Sequence, residues 1–255
     1  MDFVRTPDEH FANLPGFSFE PRYVDLPNGL RMAYVEAGAG DPILCLHGEP
    51  SWGFLYRKMM PRLSEVARGT ARHLLDGSVV RGVLVGFFVF FAFQGTFTYL
   101  PFRLEAPPFS FGPAVIGASY LVFVAGIVSS SVAGRVAARL GLRAALLAGF
   151  GLAALGNLLA LAGSTAVLVT GLLVLCYGNW LVHALALGHV ATAAETDRAG
   201  ANALYLLAYY LGGAAGAWAP GFVHQAVGFP GVVAGSVAAL ALGAAIAGSL
   251  SARAG

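Results

Sequence analysis

Two hydrophobic rhythms divide the chain. Up to about residue 61 the apolar positions come in short alternating runs, RYVDL, LRMAYVEAG and PILCLHGEPSW, separated by Pro-Asn-Gly and Gly-Asp-Pro turns, the pattern of short β-strands at the opening of an α/β sheet. From Val79 onward the runs lengthen and lose any polar stripe at helical spacing. A helix apolar all round needs hydrocarbon or a large protein core around it, and roughly 20 such residues cross about 30 Å of bilayer. Six segments fit: Val79 to Pro101, Pro113 to Ala133, Arg143 to Ala162, Ala166 to Leu187, Ala201 to Val223 and Gly231 to Leu250. A soluble domain cannot bury six of them on every side, so the pattern predicts a mainly α membrane protein with six transmembrane helices.

Composition sharpens the division. Hydrophobic residues make up 57% of the chain and charged ones 11%, where a soluble domain carries about 25% charge, and the mean hydropathy is +0.72. Of the 28 Asp, Glu, Lys and Arg residues, 18 precede Val79. No formal charge stands between Glu105 and Arg135 or between Arg143 and Glu195. The expected partner is the lipid bilayer. A net charge of +2, with no basic run interleaved with aromatics, argues against nucleic acid. Cys45 and Cys176 sit far apart in unlike segments and suggest neither a disulfide framework nor a metal knuckle; no metal and no cofactor is expected. No Gly-x-x-x-x-Gly-Lys motif occurs and no lysine follows Lys58, which excludes a self-contained ATP-driven pump.

Arginine placement predicts orientation. Arg72 and Arg81 lie at the start of the first span, Arg135, Arg139 and Arg143 between the second and third, Arg198 between the fourth and fifth, and Arg253 after the sixth. The opposite loops hold Arg103, offset by Glu105. Both termini are therefore expected in the cytoplasm, with the chain multi-pass in the plasma (inner) membrane. The start, MDFVRTPDEHF, has no secretory leader pattern, so the first segment is expected to stay on the cytoplasmic side. In the fifth span Gly212 and Gly216 allow close helix approach, and Pro220 with Gly221 predicts a kink whose freed backbone group a neighbouring helix must satisfy.

The segments GRVAARLGLR, Gly134 to Arg143, and ANALYLLAYYLGGAAGAWAPG, Ala201 to Gly221, carry a resemblance. Together, residues about 72–252 resemble the C-terminal six-helix half of a major facilitator superfamily (MFS) transporter. Gly134, Arg139, Gly141 and Arg143, with Arg135 beside them, match that family's loop between the second and third helices; Ala138 stands where the family has an acidic residue. The loop reads as a tight reversal with glycine at each end and arginines meeting headgroups or helix C-termini. Gly212, Gly216, Pro220 and Gly221 resemble the glycine and proline pattern that drug/proton antiporters carry in a fifth helix. The resemblance implies ion-coupled alternating access for a small-molecule substrate, and a missing set of six helices supplied by a second copy of this chain or by a separate six-helix half. It further implies that the first and fourth helices line the cavity, which selects Gln94 on the first and Asn179 with His183 on the fourth as the substrate or proton pathway. Asn179 and His183 share one helix face, and polar groups in a span default to functional candidates. Trp180, Asn157, Tyr209 and Tyr210 read as packing or interface residues, and His189 and His224 as helix-end groups without a role.

Residues 1–61 resemble something else. MDFVRTPDEHFANLPGFSFEPRYVDL with LCLHGEPSWGFLYRKMMP is similar to the N-terminus of a haloalkane dehalogenase of the α/β-hydrolase fold. That likeness implies that His47, Gly48 and Glu49 form an oxyanion loop. The resemblance stops at Arg62: no Gly-x-Asp or Gly-x-Ser-x-Gly elbow follows, the later histidines fall in or beside membrane helices, and no catalytic residue can be assigned. A few strands alone cannot close a hydrolase core, so the oxyanion loop is vestigial and enzymatic activity is not expected. The organisation expected is a truncated dehalogenase-like β segment at 1–61, a junction and lead-in at 62–78, and a six-helix domain at 79–255, as in a fusion of two fragments.

Overall fold

The computed structural model describes residues 7–11, 13–27, 29–37, 53–61, 73–194 and 197–250. The chain divides into two compact units, Met1–Gly69 and Thr70–Gly255.

In the first unit, β1 (Arg22–Asp25) and β2 (Arg31–Tyr34) form an antiparallel hairpin with Tyr23 opposite Ala33 and Val24 opposite Met32. The Leu26 N–H donates to the Leu30 carbonyl at 2.7 Å and closes the Pro-Asn-Gly turn. Arg22 pairs with Glu36, and the Arg31 guanidinium covers the Tyr23 ring at 3.7 Å. Short 3₁₀ turns occupy Asp8–Phe11 and Gly53–Tyr56. Phe17 packs against Phe19 and Phe54 and is buried. The third predicted strand and the loop of His47, Gly48 and Glu49 lie outside the described residues.

Among its described residues the second unit is built of helices: α1 (Gly77–Glu105), α2 (Pro113–Ala118), α3 (Val124–Leu140), α4 (Leu142–Leu159), α5 (Thr165–Ala193), α6 (Arg198–Trp218), α7 (Pro220–Val227) and α8 (Phe229–Gly248). A 3₁₀ turn, Ser119–Phe123, joins α2 to α3, and α6 runs on into α7, so eight segments make six columns. Five columns among the described residues are long and apolar enough to cross a bilayer: α1, α2 with α3, α4, α5 and α8. The α6–α7 column is diluted by Asn202 and three tyrosines and takes its place by packing against α1 along its length.

Packing follows a crossed pattern. α1 packs against α5, α6 and α8, while α5 packs against α1, α3 and α4. The first helix of each three-column set therefore meets the second and third columns of the other set, which puts α1 and α5 together at the centre.

Local chemistry explains the boundaries. The Asp76 carboxylate accepts from the Ser78 and Val79 N–H groups and caps α1, starting that helix two residues before the apolar run. Gly141, at φ 78°, makes the reversal from α3 to α4; only glycine adopts this conformation readily. Gly134 lies inside α3 with open space around it, so the expected loop with glycine at each end is a one-glycine reversal. Arg135, Arg139 and Arg143 are exposed around it, with Arg143 reaching toward Gly248 at the C-terminus of α8, where a cation is favoured.

Candidate functional site

The central helices bring polar side chains together in two buried places. The first joins α1, α4 and α8 through Thr96, Asn157 and Ser236, each fully buried. Asn157 is oriented by donating from Nδ2 to the Ala153 carbonyl at 3.0 Å, which leaves its Oδ1 to accept from Thr96. Ser236 Oγ lies 3.2 Å from Thr96 Oγ1 and completes the set. Every member has a partner, so this group ties three helices together; such interhelical bonds are worth about 0.6 kcal/mol each in a membrane.

The second place is different. Asn179 on α5 is fully buried, yet neither its amide nitrogen nor its oxygen has a hydrogen-bond partner. Trp180 Nε1, on the same helix, and the Tyr209 hydroxyl, on α6, are also buried and unpartnered. The Tyr209 hydroxyl approaches the Asn179 side chain without the geometry of a hydrogen bond. His183, one turn from Asn179, meets Tyr205 at 3.0 Å from Nδ1 to the hydroxyl, and its ring packs on Tyr209 at 4.4 Å between centroids. Phe90 of α1 stacks on Tyr209 at 4.0 Å and 8°, and Trp180 stands edge-on to His183.

A buried polar atom without a partner costs about 1–3 kcal/mol. That sets these groups apart from the Thr96, Asn157 and Ser236 set, in which every member is bonded.

Glycine makes this cluster fit. A side chain at Gly86 would strike the Tyr205 ring, and one at Gly126 the Trp180 indole. Removing bulk at these two points lets α6 approach α1 and lets Trp180 lie against α3.

The cavity residues expected from the sequence are therefore divided. Asn179 and His183 share one cluster, while Gln94 is half-buried and donates to Thr98 on its own helix at 3.4 Å. Tyr209, read as packing, stands between Asn179 and His183. Tyr205 was missed; the i, i+4 spacing of Tyr205 and Tyr209 on one face of α6 was the available signal. His189 and His224, read as helix-end groups, have protein partners: Ser78 Oγ at 3.2 Å for His189, and the Tyr99 and Phe102 rings for His224.

Where a kink was expected, α6 ends at Trp218 and Pro220 opens α7, while Ala219 between them keeps helical angles and donates to the Ala215 carbonyl at 2.8 Å. Pro220 has no N–H for the Gly216 carbonyl, which lies against Gly95 of α1. Tyr99 donates to the Ala217 carbonyl at 2.8 Å. Gly212 and Gly216 lie directly on the backbone of Phe87 and Phe91.

Fold and site together define a multi-pass, mainly α membrane protein with a short β segment ahead of it. No family model matches the chain. In its N-terminal region it is 49% identical over 70 residues to a haloalkane dehalogenase of Psychrobacter cryohalolentis, covering 25% of this chain and 23% of that protein. A haloalkane dehalogenase of Mycobacterium marinum is 51% identical over 71 residues, 25% of this chain and 24% of that protein. An uncharacterized MFS-type transporter of Bacillus subtilis is 29% identical over 163 residues, 64% of this chain and 40% of that protein. A match of that length cannot be confined to the segment ahead of Val79. The chain thus spans about a quarter of the dehalogenases and about two-fifths of the transporter. It is a composite, dehalogenase-like at its start and similar to an MFS-type transporter beyond, as a fusion of two fragments would be.

Proposed function

We propose that the helical unit, residues 79–255, is a half-size MFS-type secondary transporter that moves a small solute by ion-coupled alternating access. The observation that carries this reading is Asn179, fully buried on a central helix with both ends of its amide unpartnered. In this reading Asn179 contacts the solute and His183, within reach of Tyr205, relays the coupling proton. Gln94 lines the same pathway. Gly134, Arg135, Arg139, Gly141 and Arg143 form the cytoplasmic loop that meets headgroups, and the Gly212, Gly216, Pro220 and Gly221 segment supplies a hinge against α1. The second six helices come from another copy of the chain or from a separate half. Both termini face the cytoplasm from the plasma (inner) membrane, and residues 1–61 are a relic of the dehalogenase-like fragment.

Proton-gradient-dependent flux into proteoliposomes, measured with the mass of the detergent-solubilised particle, tests the proposal. Flux that falls in Asn179→Leu and His183→Phe, from a particle containing at least two six-helix units, is expected. A strictly monomeric protein that moves nothing would reject it. The hydrolytic alternative predicts halide release from a haloalkane above background, and no such release is expected.

A further inference from the structure

The cluster between α5 and α6 is polar without being charged. No Asp, Glu, Lys or Arg lies on α5, on α1 between Arg81 and Arg103, or on α6 after Arg198. A charged solute entering these surroundings would give up hydration and gain no counter-charge, which is costly at bilayer depth. The groups that await a partner are of another kind: the Asn179 carboxamide, the Trp180 indole N–H and the Tyr209 phenol. An indole N–H can only donate, so it needs an acceptor, and Asn179 needs one acceptor and one donor.

Flat surfaces frame these groups. Tyr209 lies parallel to Phe90, His183 packs on Tyr209, and Trp180 stands edge-on to His183. Tyr209 and Phe90 cover one another's faces, so a guest meets ring edges, which favour a planar molecule presenting its own face to them. An organic cation would meet ring edges instead of the faces that attract it and would leave the Asn179 N–H donors unsatisfied; a carboxylate would satisfy the donors and find no cation.

Resting on the transport reading above, we propose that the solute is an uncharged planar molecule presenting a hydrogen-bond donor beside an acceptor, of the aromatic amide or lactam class. Asn179 reads its donor–acceptor edge, Tyr209 adds a further bond, and the edges of the aromatic rings around them meet the face of its ring.

Equilibrium dialysis of the full chain in micelles with radiolabelled 2-quinolone, a planar lactam, tests this without requiring transport. Saturable binding is expected, with quinoline-2-carboxylate and N-methylquinolinium competing about tenfold more weakly or worse. Asn179→Leu is expected to weaken binding about tenfold, and Tyr209→Phe to weaken it by a smaller factor. Absence of saturable binding, equal competition by either charged analogue, or unchanged binding in both variants would overturn the proposal. Flux in proteoliposomes separates it from the reading it rests on. Transport of a charged solute without 2-quinolone binding rejects the substrate class and keeps the transporter; binding of 2-quinolone with no flux of any solute rejects the transporter and keeps the ligand class.

Discussion

Residues 7–61 and residues 73–250 use their apolar side chains in opposite ways. In the first stretch Phe17 is the one hydrophobic side chain buried among the described residues, while Val24, Met32, Leu55 and Met59 stay about half exposed. In the second, a continuous buried core runs from Val79 to Leu250, and its exposed apolar residues, such as Leu121 at 75% and Ile127 at 72%, sit on spans that hydrocarbon can cover. A two-stranded hairpin without a packed face is marginal by itself; a helix satisfies its own backbone and needs only an apolar solvent. The higher identity, to the dehalogenases, thus falls on the part where Phe17 alone is buried among the described hydrophobic side chains, and the lower identity, to the transporter, on a match long enough to reach the helical core. Strength of resemblance and completeness of fold are separate properties of this chain.

The contrast can be broken most severely at the seam between α1 and α6. Gly216→Leu would drive a side chain into the Phe91 backbone, where no rotamer relieves the overlap. A loss of about 3 kcal/mol or failure to accumulate is expected, read from thermal unfolding in detergent and from expression level. Next comes Thr96→Val, which strands Asn157 Oδ1 and Ser236 in the core. It should cost about 1 kcal/mol, and Thr96→Ser should recover most of that.

Asn179→Leu sharpens the comparison in the other direction. Because Asn179 has no partner to lose, the substitution should leave the unfolding midpoint unchanged or raise it while weakening solute binding about tenfold and lowering flux, the trade-off expected of a site held for function. A fall in stability as large as that of Thr96→Val would make Asn179 structural. The smallest effect is expected from removing residues 1–69. With Phe17 the one buried hydrophobic side chain among that unit's described residues, the helical unit should insert and unfold as it does in the full chain, and a marked drop in its midpoint would show that the first unit supports it.

Much of the bundle was legible because long apolar runs admit few alternatives. The predicted span from Val79 to Pro101 becomes Gly77–Glu105, since Asp76 caps the helix earlier and its last turn continues past the apolar run. The span from Ala166 to Leu187 becomes Thr165–Ala193, since a helix proceeds until its backbone finds another partner, beyond the point where hydropathy falls. The interior was less legible. Thr96 and Ser236 are ordinary residues in their segments, and only folding brings them 3.2 Å apart. The contact of α4 with α5 runs through Gly149, Gly156, Gly171 and Gly178, paired at seven-residue spacings that could have been read as a seam. The bond from Gln94 to Thr98 on its own helix was likewise open to reading, since the two stand four residues apart.

The central claim is that these helices cross a bilayer, and topology mapping by cysteine labelling tests it most directly. With Cys45 and Cys176 replaced by Ser, single cysteines at Arg139 and at Gly163 bracket α4. The account predicts that an impermeant maleimide applied to intact cells labels Gly163→Cys and reaches Arg139→Cys only after lysis. Labelling of both from the same side would contradict it.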